Sequence, residues 1–165
     1  MNKSFEIDLN ELIDTLEMPD SFFHYLNKTT GHIESIPQDL LDRVEDDDYS
    51  IEDSPELEHD SFLIAKDILH SDDYLLLDLK DDLDEFKIVR DFCASMRDAK
   101  IQEALLFTIQ GKGAFGRFKH AIHFHKIENL WYRFRHQRIK QFLMQWCKQN
   151  GFTYTYERPH YLDEA

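Results

Sequence analysis

The 165 residues carry 33 Asp and Glu against 19 Lys and Arg, a net −14 at pH 7, with 42% apolar residues and 13 phenylalanines. That apolar and aromatic share excludes an acidic disordered chain and suits one domain over residues 1–165. No apolar run approaches the roughly 18 residues that cross a bilayer, and Met1–Leu12 lacks the basic start of a secretory signal, so a cytoplasmic protein is expected.

In chain order, Asp8 with Glu11 three residues on resembles a capping box, and Leu9, Leu12, Ile13 and Leu16 give a short helix ending before Pro19. Phe22, Tyr25 and Leu26, then Ile33 and Ile36 across the turn Asn27–Gly31, predict an N-terminal β-hairpin. Residues 45–60 hold nine carboxylates and no Lys or Arg around Pro55, which predicts an acidic loop or linker. Phe62, Leu63, Ala65, Ile68 and Leu69 then give a helix, residues 74–79 a buried strand, and Asp81–Met96 another helix.

Asp98 is placed to cap a helix through Ile101, Ala104, Leu105 and Ile109, which Gly111 ends. Gly113 turns the chain into a further helix on Ala114, Phe115, Phe118, Ala121 and Ile122. A long C-terminal helix over about 128–149 follows, with Trp131, Phe134, Ile139, Phe142, Leu143 and Trp146 on one side. Phe152–Tyr156 alternates as a closing strand. The expected class is therefore α+β and mainly helical. Cys93 and Cys147 sit in apolar helical patterns without a Cys-x-x-Cys pair, as reduced core fillers do.

Charge is divided along the chain. Residues 1–100 hold 9 Lys and Arg against 28 Asp and Glu, whereas Gly111–Asn150 holds 9 against 1. Either the two parts compensate within the monomer, or the basic part meets an anion. Arg135 falls within the aromatic stripe and Arg138 on its edge, which assigns Arg135 a structural role against the rings and a carboxylate. Arg133, His136 and Lys140 fall on the other side of the wheel, an outer face.

The run Gly111-Lys112-Gly113-Ala114-Phe115-Gly116-Arg117-Phe118-Lys119, then Leu130–Arg135, Gln145-Trp146 and Asn150-Gly151-Phe152, resembles the uncharacterised protein family UPF0158. Tyr25-Leu26-Asn27 through Thr30-Gly31-His32 is similar to that family's early hairpin, with Asn27 and Gly116 as departures. The resemblance implies a compact, soluble, bacterial-type domain and carries no activity.

Gly111, Gly113 and Gly116 fit G-x-G-x-x-G, yet a dinucleotide turn follows a strand and this one follows a helical pattern. An anion site is the narrower expectation. A helix starting near Gly113 directs N–H groups and the positive end of its dipole outward beside Lys112, Arg117 and Lys119. His120, His123 and His125 lack the third or fourth ligand of a zinc site, so no metal and no cofactor is implied. Asp78, Lys80 and Asp81 loosely resemble the acid-x-Lys strand of metal-dependent nucleases.

Three functions follow as expectations. The first is a non-enzymatic interaction module in which Lys112, Gly113, Arg117, Lys119, Arg133 and Lys140 engage an anionic partner, with nucleic acid the natural candidate. The second is an acidic module whose residues 45–60 recognise a basic protein. The third is a metal-dependent hydrolase or nuclease, which leaves the question of an enzyme open.

Overall fold

Asp8 shows how local chemistry starts the first helix. It closes a two-residue strand, β1 (Ile7–Asp8), and its carboxylate accepts the Asn10 N–H at 2.9 Å, capping α1 (Leu9–Glu17). The computed structural model describes residues 5–163, an α+β chain that is mainly helical and divides into two compact units. One contains the residues up to Lys80 together with Leu143–Tyr156, the other Asp81–Phe142 with the chain from Glu157 onward.

The predicted hairpin forms the middle of the first unit. Strands β2 (Phe22–Asn27) and β3 (Ile33–Pro37) pair antiparallel, with His24 opposite Ser35 and Leu26 opposite Ile33. Asn27 shapes the turn, its side-chain oxygen accepting from Thr29 N at 2.9 Å and Thr30 N at 3.2 Å. Gly31, at φ +80°, is required twice over, because a Cβ there would lie 2.5 Å from the Phe5 ring and 3.2 Å from the Glu6 carbonyl oxygen.

The apolar run near 74–79 gives β4 (Tyr74–Leu77), which pairs with β2 only. It is an edge strand, and only Leu77 of its four residues is buried, which corrects the expected buried strand. Sheet order is β3-β2-β4, so β2 is the strand covered on both sides by partners. On one face, Ile36 joins α2 (Gln38–Glu45) and α3 (His59–His70) in a cluster of Leu40, Leu41, Val44, Phe62, Ala65 and Ile68, with Tyr25 and Tyr74 against it. Side chains alternate along strands, so His24 and Ser35 point to the opposite face. There Ser35 and Ile33 line a small cavity with Glu11, Asp14, Thr15 and Met18.

The acidic segment is ordered by its few non-acidic partners. Arg43 reaches Glu58 at 3.1 Å and the Tyr49 hydroxyl at 3.0 Å, and Ser50 with Asp53 forms a reciprocal capping box. Two 3-10 turns, Ile51–Asp53 and Glu56–Glu58, lead directly into α3. The closing strand, β5 (Tyr154–Thr155), pairs parallel with β1, and Phe152 stacks on Trp146 at 5.5 Å.

The second unit is helical. After a short helix, α4 (Leu79–Asp82), the expected helix from Asp81 starts instead at Glu85, as α5 (Glu85–Ser95), because Asp84 caps it by accepting from Lys87 N at 2.9 Å. Asp98 caps α6 (Ala99–Thr108) as predicted, accepting from Lys100 N and Ile101 N. Then follow α7 (Ala114–Phe124) and α8 (Glu128–Gln149), whose residues from Leu143 belong to the first unit. Phe92 centres this core, edge-on to Phe118, Trp131 and Phe134 at 6.0, 5.3 and 5.4 Å. Cys93 and Cys147 are unpaired and fully buried, and burial pushes both thiols up to about 11.

The buried stripe of α8 is Trp131, His136, Ile139, Leu143 and Cys147. The expected stripe placed Phe142 and Trp146 inside and His136 outside; both aromatics are half-buried. Among the described residues no helix is long and apolar enough to cross a membrane.

Candidate functional site

The segment Gln110–Ile127 contains four Lys or Arg, three His and no carboxylate. Its geometry starts from two glycines. Gly111 at φ +74° ends α6 and Gly113 at φ +73° caps α7, so the connection reverses through two left-handed residues that side chains disfavour.

Arg117 closes this elbow. Its Nε donates to the Thr108 carbonyl at 3.0 Å, one terminal nitrogen to the Lys112 carbonyl at 2.5 Å, and the other to the Gln110 carbonyl. These are carbonyls of the last turn of α6 and of the elbow, where unpaired oxygens and the negative end of the dipole favour a cation. Arg117 thus serves as a C-terminal cap for α6 while remaining exposed, its guanidinium engaged by backbone carbonyls.

Lys112, Gly113 and Lys119 remain at the elbow surface, and neither lysine pairs with a carboxylate among the described residues. Lys119 lies over the Phe115 ring at 5.1 Å. At the far end of α7, Lys126 takes φ 57°, with its N–H on the His123 carbonyl and the next N–H, of Ile127, on that of Ile122. A glycine is the usual occupant of that position. His123 Nδ1 lies 2.6 Å from Glu128, and His120, His123 and His125 do not gather. Among the described residues no group of three His, Cys, Asp or Glu is arranged to hold a metal ion.

Arg133 and Lys140 lie on α8. On that helix Arg133 and His136 meet the C-terminal segment. Arg133 Nε donates to the Leu162 carbonyl at 2.8 Å, Leu162 is buried, and the Tyr161 ring stands edge-on to His136 at 6.4 Å. Burial, then the charges of Lys140, Arg158 and Arg135, hold the His136 imidazole below its ordinary value of 6.5. The wheel reading of an outer face missed the 3-10 turn His160–Leu162, whose Tyr161-Leu162 pair was the available signal.

The arginines beside the aromatic core behave as expected for Arg135. It forks onto Glu85 at 2.5 and 3.2 Å, while Arg138 pairs with Asp91 at 2.7 Å and lies over Phe134 at 5.7 Å. Lys80 Nζ donates to the Met18 carbonyl at 2.5 Å and to Asp20 at 2.7 Å, tying the link after α1, while Asp78 is exposed.

Exposed aromatic residues were the larger omission. Phe107 is 77% and Phe124 74% exposed, at the end of α6 and the end of α7. Both fall outside the apolar positions that the helical period selects, and that leftover status was the readable sign. Of the large exposed apolar residues in the second unit, Phe86, Phe107, Phe115, Phe124, Tyr132 and Tyr161 are aromatic, against Leu106 and Leu130.

The model of an uncharacterised protein family, UPF0158, matches residues 2–164, and the chain belongs to that family. Neither a curated protein nor a solved structure matches it.

Proposed function

We propose that this UPF0158 chain is a non-enzymatic interaction module whose α6–α7 elbow binds an anionic polymer, single-stranded nucleic acid before duplex. One observation carries the reading: the carboxylate-free segment Gln110–Ile127 is flanked and interrupted by exposed Phe107, Phe115 and Phe124. Cations that follow a phosphate backbone, with aromatic faces on which bases stack, are the two elements of sequence-tolerant single-strand binding. Lys112, Lys119 and Lys126 supply the charge, and Gly113 leaves the start of α7 without a side-chain cap. Arg117 braces the elbow through its bonds to the backbone carbonyls.

The net −14 opposes a polyanion, but at physiological salt a surface field fades over about 8 Å. Anisotropy with a labelled dT20 strand and a duplex of equal length, across a salt series from about 50 mM, tests the reading. Binding favours the single strand, weakens linearly in log salt, and falls at least ~10-fold in Lys112→Glu/Lys119→Glu. Absence of binding at 50 mM, or binding unmoved by that variant, refutes it.

A second reading rests on Leu57, 99% exposed within the second 3-10 turn of the acidic segment. Residues 45–60 then dock on a basic protein. Loss of binding to an arginine-rich peptide in Leu57→Ser with Asp46, Asp47 and Asp48→Asn supports it, and unchanged binding rejects it.

A further inference from the structure

We infer that the open edge of β4 is a docking site for an extended segment of another protein, one whose apolar strand residues are flanked by Lys or Arg. The inference goes beyond the elbow and rests on the first unit alone.

Which groups of the strand lie open follows from its register. Lys28 N donates to the Asp73 carbonyl at 2.7 Å, so those two residues face each other as a hydrogen-bonded pair. The alternation of an antiparallel ladder carries the pattern to Leu26 with Leu75 and to His24 with Leu77. The N–H and C=O groups of Tyr74 and Leu76 therefore point away from β2. No second strand pairs with β4, and among the described residues no loop or side chain donates to or accepts from those groups. Leu76 is also 48% exposed, and Phe23, two residues along β2 from its register partner Tyr25, is 37% exposed. An unpaired edge beside exposed apolar side chains is the template for strand addition, in which main-chain bonds give affinity and alternate side chains give specificity.

Charge selects the occupant. Asp72 and Asp73 precede the strand and Asp78 follows it, all three exposed and none in an ion pair among the described residues. Antiparallel pairing of β4 with a second copy would set Asp72 and Asp73 of one chain beside Asp78 of the other, and like charges so placed oppose the pairing. A strand with a cation at each end meets opposite charge at both ends instead. The unit around it strengthens that preference, with 6 Lys and Arg against 22 Asp and Glu.

The test titrates the full chain with two capped peptides, Lys-Thr-Val-Thr-Val-Thr-Lys and Glu-Thr-Val-Thr-Val-Thr-Glu, and follows the amides by NMR. The basic peptide binds and the acidic one does not. In Asp72→Lys/Asp78→Lys the preference inverts, and the basic peptide loses about 10-fold in affinity. Saturating basic peptide slows exchange at the Tyr74 and Leu76 amides and leaves Leu75 and Leu77, which the ladder already holds, as they were. That arm uses the unaltered chain and stands even where the variant fails to fold. Absence of binding up to about 1 mM, an unchanged preference in the folded variant, or Tyr74 and Leu76 amides left unprotected overturns the inference. Binding that survives Asp72→Lys/Asp78→Lys but is lost in Leu57→Ser with Asp46, Asp47 and Asp48→Asn overturns it too, and moves the basic partner to residues 45–60.

Discussion

The two compact units differ most in what they show to solvent. The first holds 6 Lys and Arg against 22 Asp and Glu, a net −16; the second holds 13 against 11, a net +2. Their exposed large apolar residues differ in kind too. Four of the five in the first unit are leucines, Leu57, Leu63, Leu69 and Leu76, and the other is Phe23, whereas six of eight in the second are aromatic. Leucine exposed among carboxylates is ordinary surface or a protein contact. Aromatic rings exposed among lysines are the combination on which the proposed single-strand binding rests.

The division can be broken hardest in the cores. Phe118→Ala removes a fully buried ring that packs on Phe92 and Trp131, at a cost of about 3–5 kcal/mol in chemical denaturation. Amide protection should fall first in α5, α6 and α7. An equal loss in the β2–β3 ladder would mean that the two units melt as one body.

A smaller effect comes from acid. Each unit buries one histidine, His24 beside Ser35 Oγ at 2.8 Å and His136 under Tyr161, and burial lowers both from 6.5. Between the folded value and 6.5 the unfolded chain binds protons that the folded chain refuses, so stability is retained above about 6.5 and lost as pH falls below it. Urea midpoints should therefore drop from pH 7 to pH 5. His24→Gln should flatten the drop for amides of the hairpin, and His136→Gln for amides of α8 up to Phe142. Flattening of both by either variant breaks the comparison.

The smallest effect sharpens the proposed site. Lys126 holds a left-handed position, so Lys126→Gly should gain about 1 kcal/mol of stability while weakening dT20 binding. Stability gained with binding unchanged would remove Lys126 from the site.

Much of the fold was legible because its determinants are local. Asp8 and Asp98 cap the helices predicted for them, Asn27–Gly31 turns the hairpin, and the residues 128–149 form one helix. Asp84 was missed as the cap of α5 because Asp81 and Asp82 compete for the same role two residues earlier, and only the fold chooses. The run at 74–79 gave the strand but not its place, since sequence period cannot separate an edge from a centre. The site was harder to read, because long side chains act at a distance. Arg117 reaches back to Thr108, and the C-terminal turn engages Arg133. A helical wheel treats a helix as if nothing returned to it.

The pairing of β1 with β5 also sets a timetable for the ribosome. Ile7 and Leu9, both wholly buried in the finished protein, leave the exit tunnel well before the register partner of Ile7, Tyr154. At about 5–20 residues per second the N-terminal strand waits roughly 7–30 s for its neighbour. During that interval two apolar residues and an open strand edge lack the neighbour that later covers them.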